Sequence, residues 1–206
     1  MLTVWGRENS TNVKKVLWLL DELGETYQLV GAGGAYGKVN EPLYLSLNPN
    51  GLVPCLQDDD FVLWESNAIL RYLVERSGNP MFWSSDAQQR ASADKWLDWA
   101  SNSLPLPFRQ VYINLIRTPE DKRDMAAVAT GIAGFEKLWP VVDAVLAKQT
   151  WLSGDTFGIG DIPMGCFAYA WFGLEIERQP HPNLERWYQQ LTQRPAYQKH
   201  VMIPLS

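Results

Sequence analysis

Two serines head helical patterns, and each could hold an anion. Ser10 follows the turn Gly6-Arg7-Glu8-Asn9 and precedes Thr11-Asn12. Beyond it Val13, Val16, Leu17, Leu20 and Leu23 recur at helical spacing. A hydroxyl there can accept from the first backbone N–H groups as an N-cap. It can also donate to an anion, because the unpaired amides and the helix dipole favour negative charge at that end. Spacing alone leaves both roles open. Glu65-Ser66 repeats the arrangement where the apolar run 61–64 gives way to a second helix. A carboxylate beside an N-cap serine suits the zwitterionic end of an α-amino acid. A solvated acid beside an ordinary cap is the alternative.

Other chemistries have little to draw on. Cys55 and Cys166 are the only cysteines and form no Cys-x-x-Cys, so neither a disulfide framework nor a zinc site is indicated. Each lies in an apolar run, where a free cysteine is ordinarily core. His181 and His200, the only histidines, lie far down the chain and supply neither a metal centre nor a Ser-His-Asp triad. Gly31, Gly33, Gly34 and Gly37 fit neither the dinucleotide fingerprint nor a P-loop, and read as a flexible loop. A net charge of −5 disfavours nucleic acid or an anionic membrane as partner. No run approaches the roughly 18 apolar residues of a membrane helix. The opening MLTVWGREN lacks the basic and apolar regions of a signal peptide, so a cytoplasmic protein is expected.

The elements that must position these residues change character midway. Residues 2–5 and 26–30 read as strands flanking the first helix, a βαβ unit with parallel strands, and Gly24 is a C-terminal stop. Residues 42–47 form a short helix. Residues 52–56 and 61–64 read as a hairpin turning at Asp58-Asp59-Asp60, with Pro54 an oddity in its first strand. A helix over 66–76 follows. After Ser77-Gly78-Asn79-Pro80 the strand signals stop. Ser85 with Gln88 has capping-box spacing for a long helix that Pro105 and Pro107 must bend or break. Thr118-Pro119-Glu120-Asp121 is a further start signal, for a helix with Pro140 as a kink. An apolar segment that Gly158-Ile159-Gly160-Asp161 starts and that runs to Leu174 reads as a buried helix, and a helix over 182–192 and a last one from Arg194-Pro195 complete the chain.

In this order the motifs resemble those of cytosolic glutathione transferases, over essentially the whole chain. They are Ser10-x-Asn12, Asn48-Pro49-x-Gly51-x-Val53-Pro54, Glu65-Ser66 with Asn67-Ala68-Ile69, Gly154-Asp155 with Asp161, and Arg194-Pro195. The serine-type helix start and the closing Val201-Met202-Ile203-Pro204 are similar to bacterial theta-like members. The resemblance implies a thioredoxin-like α/β domain over 1–78, a linker over 79–86 and an all-α domain over 87–206. It implies a homodimer, glutathione as co-substrate and no metal.

It also assigns roles. Ser10, with Asn12 as a second donor, would stabilise the glutathione thiolate. Val53, ahead of a cis Pro54, would pair its N–H and C=O with the cysteinyl backbone like an added strand. Glu65 and Ser66 would hold the γ-glutamyl end, with Lys38 and Asn50 also at the glutathione site. Leu52 stands where the family often has lysine, so a contact to the glycine carboxylate is missing or comes from Lys38. Gly158 stands where the family tends to have an N-cap Ser or Thr, which leaves a weaker cap. Trp96, Trp99, Phe108, Tyr112 and Trp171 could line an apolar pocket for an electrophile, core packing being the alternative for most. Arg109 and Arg117 could meet an anionic substrate or simply be solvated. The activity implied is conjugation of glutathione to small electrophiles. A glutathione-dependent peroxidase, dehalogenase or isomerase, or a non-catalytic scaffold of the same fold, are the alternatives.

Overall fold

The computed structural model describes residues 1–206. The first third is a four-stranded mixed sheet, β1 (Leu2–Gly6), β2 (Tyr27–Gly31), β3 (Cys55–Asp58) and β4 (Phe61–Trp64), in the order β2-β1-β3-β4. β1 and β2 are parallel, Leu2 opposite Tyr27, around α1 (Thr11–Leu23), as the βαβ pattern requires. β3 runs antiparallel to β1 and β4. α2 (Pro42–Leu47) and α3 (Ser66–Ser77) complete this half. The rest is helical: α4 (Ala87–Ser103), α5 (Pro105–Phe108), α6 (Met125–Leu146), α7 (Asp161–Gly173), α8 (Pro182–Thr192) and α9 (Pro195–His200). The thioredoxin-like half and the all-α half are thus both present. No helix is long and apolar enough to cross a membrane.

Several boundaries differ from expectation, each for a local reason. β3 begins at Cys55 rather than residue 52, because Pro54 has no N–H to give a ladder and its bond to Val53 is cis. The strand then extends through Asp58, and Asp59, at φ 50°, makes the turn. Asp86, not Ser85, caps α4: its carboxylate accepts from Gln88 and Gln89 N–H, both at 2.8 Å. The Thr118-Pro119 signal yields only a 3₁₀ turn, Glu120–Lys122. The long helix starts at Met125, where the Asp124 carboxylate accepts from Ala127 N–H at 2.9 Å. Pro140 sits inside a helix that continues to Leu146. After the break at Pro105 and Pro107 the chain winds as a π-helix over Arg109–Arg117. The glycine loop includes a 3₁₀ turn over Gly34–Tyr36.

One hydrophobic cluster joins the two halves, with α1 packed on both α3 and α7. Trp18 is fully buried at that seam, where Gly165 leaves room: a Cβ there would come within 2.9 Å of the indole. Its Nε1–H donates to Glu22 at 2.8 Å. Arg194, just ahead of α9, donates twice to the same carboxylate, at 2.8 and 2.7 Å. Lys14 donates to the Val201 carbonyl at 3.1 Å. The helix that carries Ser10 is therefore gripped by the C-terminal half.

The cap missing at Gly158 is supplied from elsewhere. Ser153 Oγ accepts from Gly160 N–H at 3.0 Å. A Cβ on Gly158 would stand 2.9 Å from both Cβ and Oγ of Ser153. The two positions therefore compete for one volume. Gly158→Ser is expected to lower stability by about 1–3 kcal/mol through overpacking. The double variant S153G/G158S should recover most of that loss. Thermal unfolding of both variants checks this, and equal losses would contradict it.

Candidate active site

Ser10 occupies the N-cap position of α1 with extended backbone, φ −84° and ψ 124°. Its carbonyl accepts from Lys14 N–H at 2.9 Å, so the helix begins there. Its hydroxyl makes no capping bond. The side chain is 9% exposed, and the first turn of α1 holds no acid. A buried hydroxyl, free helix amides and the positive dipole end thus share one spot, with no acid in the helix's own first turn. Tight packing sets this geometry: a Cβ on Gly6 would lie 2.6 Å from Val13, so only glycine lets the strand turn so closely onto the helix. Asn12 is exposed and has no side-chain partner.

The Asn48–Val53 turn is locked from within. The Leu52 carbonyl accepts from Asn48 Nδ2 at 2.8 Å and from Tyr44 Oη at 2.5 Å. Asn50 is tied back, its amide and side chain both donating to Asn48 Oδ1. No protein group pairs with the Val53 N–H or C=O. The turn therefore offers one donor and one acceptor to an extended peptide. Gly33 packs against the Val53 side chain, 3.4 Å from where its Cβ would be. Lys38 is exposed at φ 65°, and Leu52 is also exposed.

Glu65 and Ser66 stand where β4 passes into α3. Glu65 is exposed and sits at φ 73°, ψ 111°, a conformation that L-residues rarely adopt. Such backbone costs on the order of 1–3 kcal/mol and concentrates at ligand sites. Ser66 begins α3 and is buried. Its hydroxyl accepts from the Lys15 ammonium at 3.4 Å. Neither the burial of Lys15 nor this contact was legible in the sequence.

A cavity of about 780 Å³ opens beside the α1 N-terminus, walled by Arg7, Glu8, Asn9, Tyr36, Arg117 and Ile203 among others. None of the five aromatic residues expected to line a pocket lines this one. Trp96 and Trp171 are core: Trp96 abuts Trp99 edge to face, and Trp171 packs on Phe135 and Trp139. Their helical spacing signalled burial. Phe108 stacks on Tyr112, and the Tyr112 hydroxyl donates to the Ser206 carbonyl at 3.1 Å, beneath the cavity wall. Arg117 also donates to Ser206 O, while Arg109 is exposed with no partner. The Arg7 guanidinium is pushed down by burial and by Arg117 nearby.

Both thiols are inert. Burial pushes Cys55 up to about 11 and Cys166 up to about 12, so neither is a nucleophile at neutral pH. No three His, Cys, Asp or Glu side chains converge to hold a metal.

Comparison with known proteins identifies the family and the fold. Residues 1–75 match the model for the glutathione S-transferase N-terminal domain, and residues 110–195 that for the C-terminal domain. The chain is 49% identical to glutathione S-transferase GstB of Escherichia coli, with all of both chains covered. It is 30% identical to glutathione S-transferase 4 of Zea mays, over 95% of this chain and 90% of that one. A theta class glutathione S-transferase from Xanthomonas axonopodis pv. citri, crystallised with glutathione bound, superposes with a TM-score of 0.96 at 46% identity. That superposition covers 100% of this chain and 99% of the other. The chain belongs to the glutathione S-transferase family.

Proposed function

We propose that this transferase ionises glutathione at the N-terminus of α1 and conjugates it to electrophiles held in the adjoining cavity. The observation that carries the reading is the buried Ser10 hydroxyl, free of any capping bond at a helix start without acids. Ser10 donates to the thiolate sulfur, and the first amides and dipole add to the stabilisation. Asn12 is a second, more solvated donor. Val53 pairs with the cysteinyl backbone, Pro54 bounds that turn, and Glu65 and Ser66 take the γ-glutamyl ammonium and carboxylate. Lys38 and Asn50 lie toward the glycine end, where Leu52 offers no charge. The sulfur lone pair forms the C–S bond, and the bond from that carbon to the leaving group breaks with its electron pair going to the leaving group. Position and thiolate stabilisation supply the rate. Arg7 and Arg117 in the cavity wall favour an electrophile with an anionic group over a purely apolar one. Tyr112, stacked on Phe108, supports that wall through its bond to Ser206.

The chain divides, in this reading, into a glutathione domain over 1–78, a linker over 79–86 and a substrate domain over 87–206. A homodimer acting in the cytoplasm fits as well. Leu52, Phe61 and Trp64 are large exposed apolar residues that a second copy would cover. Size-exclusion with mass measurement checks the dimer.

Retention on a glutathione column, followed by turnover of a chlorinated nitrobenzene, tests the activity. Binding and turnover are the expected result. Absence of both would favour a scaffold protein instead. A panel of neutral and carboxylate-bearing electrophiles and peroxides then separates transferase from peroxidase or dehalogenase.

A further inference from the structure

Lys15 is the one buried charge that neither the fold nor the proposed chemistry uses. It is 1% exposed, and its only hydrogen bond is the 3.4 Å contact to Ser66 Oγ. Its ammonium lies 5.6 Å from the centre of the Phe167 ring. No carboxylate pairs with it, although an ammonium has three protons to donate. A buried cation without an anion is costly. Lys14 beside it is accounted for, holding the Val201 carbonyl at 3.1 Å. Lys15 instead points from α1 to the first residue of α3.

That contact has a chemical consequence for Ser66. An ammonium can only donate, so Ser66 Oγ accepts from it and the serine's own proton is left for another acceptor. An anion at Ser66 would also supply the countercharge that Lys15 lacks.

We propose that Lys15 is a positioning residue for glutathione. Its buried ammonium fixes the Ser66 hydroxyl as a donor and balances the charge of the γ-glutamyl carboxylate. The inference rests on the reading that Ser66 binds that carboxylate. The ionisable groups around Lys15 are Glu65 just ahead of α3, Cys166 from α7 and Lys14 on its own helix. Burial pushes Lys15 down to about 8, with Cys166 and Glu65 pulling it back. A carboxylate bound at Ser66 would raise it, so affinity is full below about 8 and falls as pH rises through that value.

Binding of S-methylglutathione, which has no thiol to titrate, tests this in wild type, K15M, S66A and the double variant. K15M and S66A should each weaken binding about tenfold or more, as loss of a charge-assisted hydrogen bond does. K15M should add little in the S66A background. The wild-type loss of affinity above pH 8 should be smaller in K15M, where only the ligand's own ammonium still titrates, and K15R should restore part of the affinity. Wild-type affinity in S66A would sink the Ser66 reading, and the proposal with it. Weak binding in S66A but wild-type affinity in K15M, or full additivity of the two, would overturn Lys15 alone. Should K15M not fold, NMR titration of Lys15 in the wild-type protein decides. Its pKa must rise when S-methylglutathione binds, and an unchanged value overturns the proposal.

Discussion

Ser10→Ala is expected to lower kcat/KM for conjugation by about ten- to a hundredfold while leaving the protein as stable as before. A hydrogen bond to a charged group is worth about 1.5–3 kcal/mol, and 1.36 kcal/mol is a decade in rate. The second half of the expectation is the sharper one. An N-cap serine that bonds its helix costs about 1 kcal/mol when truncated. Here the hydroxyl makes no such bond, so the folded state has little to lose. Asn12→Ala should cost less activity, because Asn12 is open to water, which competes for the thiolate. Steady-state kinetics with a chlorinated nitrobenzene, run beside thermal unfolding, separates the outcomes. A stability loss without a rate loss would make Ser10 a cap.

Asp161→Ala is expected to be the most destabilising single change, by about 4 kcal/mol or more. The carboxylate is fully buried at the start of α7 and accepts from four groups. Leu152 N–H and the Trp187 indole N–H reach Oδ1, each at 2.8 Å. Gly158 N–H at 3.1 Å and Ser153 N–H at 3.3 Å reach Oδ2. Burial pushes the Asp161 carboxyl up, and the Ser153 side chain, the Trp187 indole and the Leu152 and Gly158 N–H groups pull it back. Truncation strands several buried donors, each worth about 1–3 kcal/mol. In a chain of this length each kcal/mol lowers the melting temperature by about 2–4 °C, so a drop of about 10 °C or more should appear in calorimetry. A shift of only a degree or two would mean that the segment ahead of α7 is held by other contacts.

Local patterns and long-range contacts were not equally visible in the sequence. Helical spacing after Ser10 and the stop at Gly24 announced α1 and its ends, and Gly24 does take the left-handed conformation, φ 69°. The parallel pairing of β1 and β2 followed from a helix linking two short strands. The motif order carried the family. Caps were less certain, because Ser85, Asp86, Thr118 and Asp124 all have capping chemistry and only packing selects among them. Tertiary relations were invisible. Nothing in the sequence put Ser153 in the place of the cap absent at Gly158, or turned Lys15 inward against Ser66. The aromatic residues allowed two readings, pocket lining or core, and Trp96 and Trp171, at core spacing, are buried in the core. The cavity beside Ser10 is walled instead by Arg7, Glu8, Arg117 and Ile203, residues from three distant stretches.

The central claim is that the α1 N-terminus ionises glutathione. Thiolate absorbance of the glutathione complex, titrated against pH, measures it directly. The bound thiol in the wild-type protein should titrate well below the free-thiol value of about 8.5, and in Ser10→Ala it should move back toward that value. A wild-type complex whose thiol titrates like free glutathione would contradict the account.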